Sequence, residues 1–138
     1  MTYALDTNTV IYFFKGQGGI AKRMFALPPS RIALPAVMLF ELEVGAARSA
    51  NPALRTRQLA ELFAAVTVLP FCEAESQTAA RVRAALESKG VGIGPLDTLI
   101  AGTALANGAV LVTRNTAEFG RVPGLIVEDW FEGQVGGV

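Results

Sequence analysis

Short apolar runs alternate with longer amphipathic stretches from one end of the chain to the other. Residues 2–5, Thr-Tyr-Ala-Leu, read as a short buried strand that stops at Asp6-Thr7-Asn8, since a brief apolar run bounded by polar residues fits a strand covered on both faces. A helical stretch follows over residues 9–15 and is broken by Gly16, Gly18 and Gly19. Residues 20–27 give a second helical segment, stopped by Pro28-Pro29. Ile32-Ala33-Leu34 reads as a strand, and Pro35 opens the next helix, running to about Arg48. Asn51 and Pro52 stand in the favoured N-cap and N1 order for a helix lasting to about Ala65. A strand over 66–70, an amphipathic helix over 74–89 and a Gly-rich loop over 90–94 come next. Pro95 then starts a small-residue helix that reaches Asn107 and ends at Gly108. Val110-Leu111-Val112 is a strand, residues 115–119 form a turn, and a last short strand lies near 125–127.

Strands separated by helices require crossover connections. The expected fold is therefore α/β, a central, mostly parallel β-sheet flanked by helices on both faces. At 138 residues the chain fits one domain with one core, spanning 1–138, with the tail at 133–138 expected to fray. Its nine apolar residue types make up 51%; with Gly counted and Tyr left out the share is roughly 60%, against a typical 45–50%. That excludes intrinsic disorder and leaves more apolar surface than a monomer of this size hides, so an apolar interface with another chain is expected. Asp6 interrupts the N-terminal apolar run, so no signal peptide is expected there. The longest uncharged stretch, residues 98–113, is too short and too broken for a membrane span. The expectation is a soluble, cytoplasmic protein.

Zero His and a single Cys, Cys72, narrow the chemistry. Ser-His-Asp and Cys-His machinery, His-ligated zinc, imidazole acid–base pairs, internal disulfides and multi-cysteine metal sites are all excluded. Carboxylates, hydroxyls, Lys and Arg, and hard metal ions bound through oxygen remain. Charge balances at 12 basic against 12 acidic residues, yet residues 1–60 carry seven basic and three acidic, and residues 61–138 five and nine. Bulk electrostatics thus make no case for nucleic-acid binding, which would need a local basic patch or metal ions that reverse the sign of an acidic site.

Four acids fall where an open parallel sheet binds ligands, beyond the carboxyl ends of its strands. Asp6 directly follows the first strand, Glu118 lies shortly after the strand ending at Val112, and Asp97 sits in the first turn of the helix feeding that strand. Glu41 sits in a helix whose neighbours one turn away, Val37, Met38, Val44 and Gly45, are apolar or Gly. Each has an ordinary reading: Asp6 as an N-cap, Asp97 as a helix-dipole partner, Glu41 (or Glu43 beside it) and Glu118 as solvated charges. Gathered together, they pose a problem. Two carboxylates about 4 Å apart repel by roughly 4 kcal/mol at an effective dielectric of 20, so a cluster needs protons or a cation. Without His or Cys ligands the fitting ion is Mg²⁺ or Mn²⁺. Such a site lowers the pKa of bound water and neutralises charge on a phosphate, which suits hydrolysis of a phosphodiester.

The motifs occur in a definite order. Leu5-Asp6-Thr7-Asn8 comes first, then Glu41-Leu42 with Gly45 one turn on, then Pro95-Leu96-Asp97-Thr98-Leu99-Ile100-Ala101. Thr113-Arg114-Asn115-Thr116-Ala117-Glu118-Phe119 follows, and the chain closes with Val122-Pro123-Gly124-Leu125 and Glu128-Asp129-Trp130. This pattern resembles the PIN-domain ribonucleases, specifically the VapC-type toxins of toxin–antitoxin pairs, over nearly the whole chain. The resemblance implies a metal-dependent endoribonuclease with Asp6, Glu41, Asp97 and Glu118 around the ions, and Asn8, Thr113 and Asn115 close enough to orient carboxylates or water. Glu118 stands where Asp is also common, and its longer reach suits a water-mediated contact. The resemblance also implies an RNA substrate, a homodimer and a cognate antitoxin that lays an apolar segment into a groove, with residues 9–27 and 51–65 as candidate surfaces. Lys15, Lys22, Arg23, Arg48 and Arg114 are candidates for RNA backbone contacts, each with a solvated surface charge as its ordinary reading.

Other readings use the same residues. Asp6-Thr7-Asn8-Thr9-Val10 is similar to the strand-end signature of haloacid-dehalogenase phosphatases, but Asn8 replaces the general acid. A receiver domain would need a phospho-accepting Asp after a central strand, and the strand at 66–70 is followed by Phe71-Cys72-Glu73. The glycines at 90, 92 and 94 follow a charged helix rather than a strand, which makes a turn delivering Asp97 the better reading than a phosphate loop. A non-catalytic binding module on the same fold stays open as the alternative to an enzyme.

Overall fold

Among the described residues, five short strands carry the fold. The computed structural model describes residues 1–131; the tail at 133–138, expected to fray, lies outside the described residues. β1 (Tyr3–Leu5) leads into α1 (Thr7–Phe14) and α2 (Ile20–Phe25), then β2 (Ile32–Pro35), α3 (Leu39–Arg48) and α4 (Pro52–Ala65). β3 (Thr67–Leu69), α5 (Glu73–Ser88), α6 (Pro95–Ala106), β4 (Val110–Val112), α7 (Thr116–Phe119) and β5 (Val127–Glu128) complete it. All four strand pairings are parallel, in the order β3-β2-β1-β4-β5. Because such crossovers are right-handed, reversing the direction of strand addition after β3 sends the following helices to the opposite face.

The three central strands, β2, β1 and β4, are apolar because both faces are covered. Ala4, Leu5, Ala33, Leu34, Leu111 and Val112 are all fully buried. α5 and α6 pack closely, and Gly102 sets their distance: a Cβ there would lie 2.5 Å from the Cβ of Ala79. Gly102→Ala is therefore expected to cost about 1–3 kcal/mol through overpacking, read as a lower melting temperature with no shift in the far-ultraviolet helix signal.

Three local expectations need correction. Pro35 ends β2 rather than opening a helix, its backbone extended and level with Leu69, and a 3₁₀ turn (Ala36–Met38) precedes α3. The turn at 115–119 holds the one-turn helix α7, because the Asn115 side chain just before it caps the Glu118 N–H. The last strand is Val127–Glu128, not 125–127: Leu125 is still tied into the preceding turn by its bond to the Val122 carbonyl.

Candidate active site

The strand order reverses between β1 and β4, the kind of switch point where open α/β sheets bind ligands. Register places Leu5 level with Val112, and Val112 level with Glu128. The residues leaving these three strands, Asp6, Thr113 and Asp129, therefore stand side by side at the carboxyl edge.

Asp6 is only 6% exposed. Its Oδ1 accepts from the Thr9 N–H at 2.9 Å, which caps α1, and the Thr113 hydroxyl bonds the same carboxylate. The Thr9 hydroxyl in turn donates to the Val112 carbonyl at 3.2 Å. Burial still pushes the Asp6 pKa above its ordinary value of 3.8; the charge of Asp129 adds to the rise and the Thr9 and Thr113 bonds oppose it. The N-cap reading of Asp6 holds, and the same carboxylate stands at the carboxyl edge of the sheet.

Asp97 lies half-buried in the first turn of α6. Its pKa is raised by burial first, then by the charges of Glu118, Asp6 and Glu41, in that order. Glu118, Asp6 and Glu41 thus lie near enough for their charges to act on Asp97. Glu41 is exposed in the first turn of α3, and its field, not that of Glu43, reaches Asp97. Glu118 is half-buried on α7 and accepts a hydrogen bond at Oε2 from the Asn115 side-chain amide. Thr113, 1% exposed, also accepts from the Asn115 N–H at 3.0 Å through its hydroxyl. Asn8 stands exposed on α1 and, among the described residues, bonds none of these acids.

Sequence reasoning passed over Asp129 as a site charge, although it obeys the same strand-end rule as Asp6. Ending the last strand at 127 rather than 128 hid it. The supporting hydroxyl of Thr9 was also missed; the signal was its position three residues after an Asp that starts a helix.

The donors at this edge are oxygens only, which suits a hard cation and no other common metal. The Thr7 hydroxyl next to Asp6 is buried without a partner among the described residues, a position that calls for an ordered water. Among the described residues, no three Asp, Glu, His or Cys side chains close around a single point where one ion would sit. A set spread along an edge suits Mg²⁺, which keeps several waters and takes one or two carboxylates directly.

Beside the acids runs a groove of about 490 Å³ between α1, α3 and α4, lined by Ile11, Phe14, Leu42, Ala46, Leu54 and Leu59, with Glu41 on its wall. No helix among the described residues is long and apolar enough to cross a membrane.

Comparison with known proteins fits this geometry. The PIN domain profile matches residues 3–125. A tRNA(fMet)-specific endonuclease VapC of Salmonella typhimurium is 37% identical over 133 residues, covering 94% of this chain and 98% of the relative. Ribonuclease VapC2 of Rickettsia felis is 33% identical over 132 residues, with the same coverage of each. Among solved structures, DNA-bound VapBC from Salmonella typhimurium superposes with a TM-score of 0.87 at 35% identity, covering 94% of this chain and 98% of that one.

Proposed function

This chain belongs to the PIN-domain family, and from that premise we propose that it is a divalent-metal-dependent endoribonuclease, the toxin of a VapBC-type toxin–antitoxin pair acting in the cytoplasm. The observation that carries the reading is the convergence of Glu118, Asp6 and Glu41 charge on the half-buried Asp97. Asp6 and Asp97 are the primary candidates to hold Mg²⁺ or Mn²⁺, Glu41 completes that site, and Glu118 acts at its edge or at a second ion. A bound ion of this kind supplies an acidified water and neutralises charge developing on a phosphate.

The protein's own residues fix the rest. Thr9 and Thr113 hold the Asp6 carboxylate, and Asn115 holds that of Glu118, so neither needs to reorganise when substrate arrives. The phosphatase alternative lacks its second carboxylate, since the residue two past Asp6 is the exposed Asn8. The apolar groove fits a segment of a cognate antitoxin. α1 and α4, both among the expected surfaces, line it together with α3, whereas α2 does not. Phe25 and Phe40, 78% and 72% exposed, leave further apolar surface for a second chain, including the partner copy of a homodimer.

The names of the relatives make initiator tRNA the first substrate to test. With Mn²⁺ or Mg²⁺ the purified protein is expected to cut it at discrete positions on a denaturing gel. Excess EDTA is expected to abolish cutting, and added Mn²⁺ to restore it. Intact RNA in the presence of metal, from folded protein freed of antitoxin, sinks the reading; cutting undiminished by EDTA sinks its metal dependence.

A further inference from the structure

We propose that Asp129 is a positioning residue of the metal edge, acting through Asp6. Its carboxylate adds the negative charge that holds a divalent ion at Asp6, and its hydrogen bond to the Phe131 backbone keeps it in place. The inference rests on the metal-site reading above and extends that site to β5, a strand that none of the four expected acids follows.

The placement follows from the register. Leu5 pairs with Val112 and Val112 with Glu128, so Asp6, Thr113 and Asp129 leave three adjacent strands at one height. The Asp6 N–H donates to the Val112 carbonyl at 3.1 Å and the Thr113 N–H to the Glu128 carbonyl at 2.9 Å, which holds that height to the end of the ladder. Neighbouring strands lie about 4.8 Å apart, so Asp129 stands roughly 10 Å along the edge from Asp6 with Thr113 between them. Asp129 is half-buried, and its charge acts on the Asp6 carboxylate, which the Thr113 hydroxyl bonds.

Two neighbouring acids have different surroundings here. Glu128 accepts the Trp130 indole N–H at 3.0 Å and pairs with Arg23 at 3.6 Å. Successive side chains of a strand face opposite sides, and it is the charge of Asp129 that reaches Asp6. Asp129 Oδ1 accepts the Phe131 N–H at 2.8 Å, closing an Asx turn, and the Phe131 carbonyl accepts the Gly19 N–H at 2.8 Å. Gly18 has a φ of +67°, and a Cβ there would lie 2.7 Å from the Phe131 ring, so glycine is what lets this turn seat against the chain between α1 and α2. The turn engages one carboxylate oxygen and asks for no charge. An asparagine accepts the same bond through its amide oxygen, so the turn and the charge can be separated.

The test is calorimetry of Mn²⁺ binding without RNA, beside thermal melts in EDTA. Asp129→Asn is expected to weaken Mn²⁺ affinity about threefold to thirtyfold in low salt, the lower end reflecting the Arg114 guanidinium 3.7 Å from the Phe131 ring centroid. Its Tm in EDTA is expected to match or exceed the parent's. The loss is expected to shrink as salt rises and the screening length falls from about 30 Å at 0.01 M to about 3 Å at 1 M. Asp129→Glu, which keeps the charge and disturbs the turn, is expected to hold the affinity within about twofold while melting lower. Glu128→Gln removes an equal charge one residue away and is expected to leave the affinity within about twofold. In cleavage of labelled initiator tRNA, Asp129→Asn is expected to lose rate at limiting Mn²⁺ and to recover it at saturating Mn²⁺. A folded Asp129→Asn variant with the parent's Mn²⁺ affinity overturns the proposal and leaves Asp129 a turn residue. So does an equal loss in Glu128→Gln, which assigns the effect to net charge, or in Asp129→Glu, which assigns it to the turn. If Asp129→Asn melts far below the parent, Asp129→Glu decides: affinity kept at a lower Tm upholds the proposal, and affinity lost overturns it. A parent that binds Mn²⁺ and leaves the tRNA intact removes the nuclease reading alone, whereas one that binds no Mn²⁺ overturns this inference.

Discussion

Asp97→Asn is expected to lower RNA cleavage by about 10³-fold, roughly 4 kcal/mol of transition-state stabilisation, while making the metal-free protein more resistant to heat. The two effects have one cause. Burial of Asp97, and after it the charges of Glu118, Asp6 and Glu41, raise its pKa above the ordinary 3.8. A carboxyl with a raised pKa in the folded state binds its proton more tightly there than in the unfolded chain. Stability therefore falls as pH rises from 3.8 through the raised value, and above that value the full penalty is present. Asparagine carries no such penalty. The gain in Tm of the variant should be near zero below pH 3.8, grow through that window and level off at neutral pH. Saturating Mn²⁺ should invert the order, since a ligand at 100 times its Kd stabilises by about 2.7 kcal/mol and the parent binds it better. Thermal melts in EDTA and in Mn²⁺, paired with the cleavage assay, check both halves. A large drop in metal-free stability would make Asp97 a structural residue instead.

Trp130→Ala is expected to cost about 3–5 kcal/mol, a fall in Tm on the order of 10–20 °C for a chain of this size. The indole is 2% exposed and packs on the Tyr3 ring at a centroid distance of 5.4 Å. Its N–H donates to Glu128 at 3.0 Å, and Arg23 lies over its face. It thereby clamps the segment after β5 onto the first strand, the same segment that carries Asp129 and Phe131. Activity measured well below the new Tm should fall too, because Asp129, whose charge acts on Asp6, loosens with it. Trp130→Phe, which keeps most of the ring contact, should recover most of the lost stability.

The order of strands and helices was legible because its signals are local. Asn51-Pro52 does start a helix, with the Asn51 side chain accepting the Leu54 N–H, and Val110–Val112 is the strand its apolar run announces. Boundaries failed where a tertiary bond decided them. Nothing local tells that Leu125 is still turning while Val127 pairs with Leu111, because the deciding partner lies on another strand. The candidate site divides the same way. Asp6 and Asp97 were readable from position alone, as acids at a strand end and in a helix first turn. The convergence of Glu41 and the role of Asp129 depend on which strands are neighbours, and that order, β3-β2-β1-β4-β5, is a property of the packed sheet. The apolar excess pointed to a partner without locating it; the groove against Glu41 appears only once α3 and α4 are packed on α1.

The level register of β1, β4 and β5 works as a ruler, with consequences for how the chain tolerates insertions and deletions. One residue removed from Val110–Val112 would draw Thr113 out of step with Asp6 and turn the strand's faces over. The same change in the connection at residues 26–28, or at Gly108, falls at the amino ends of the strands and leaves the opposite rim in place. Length variation among homologous chains should therefore gather at that quiet end of the sheet.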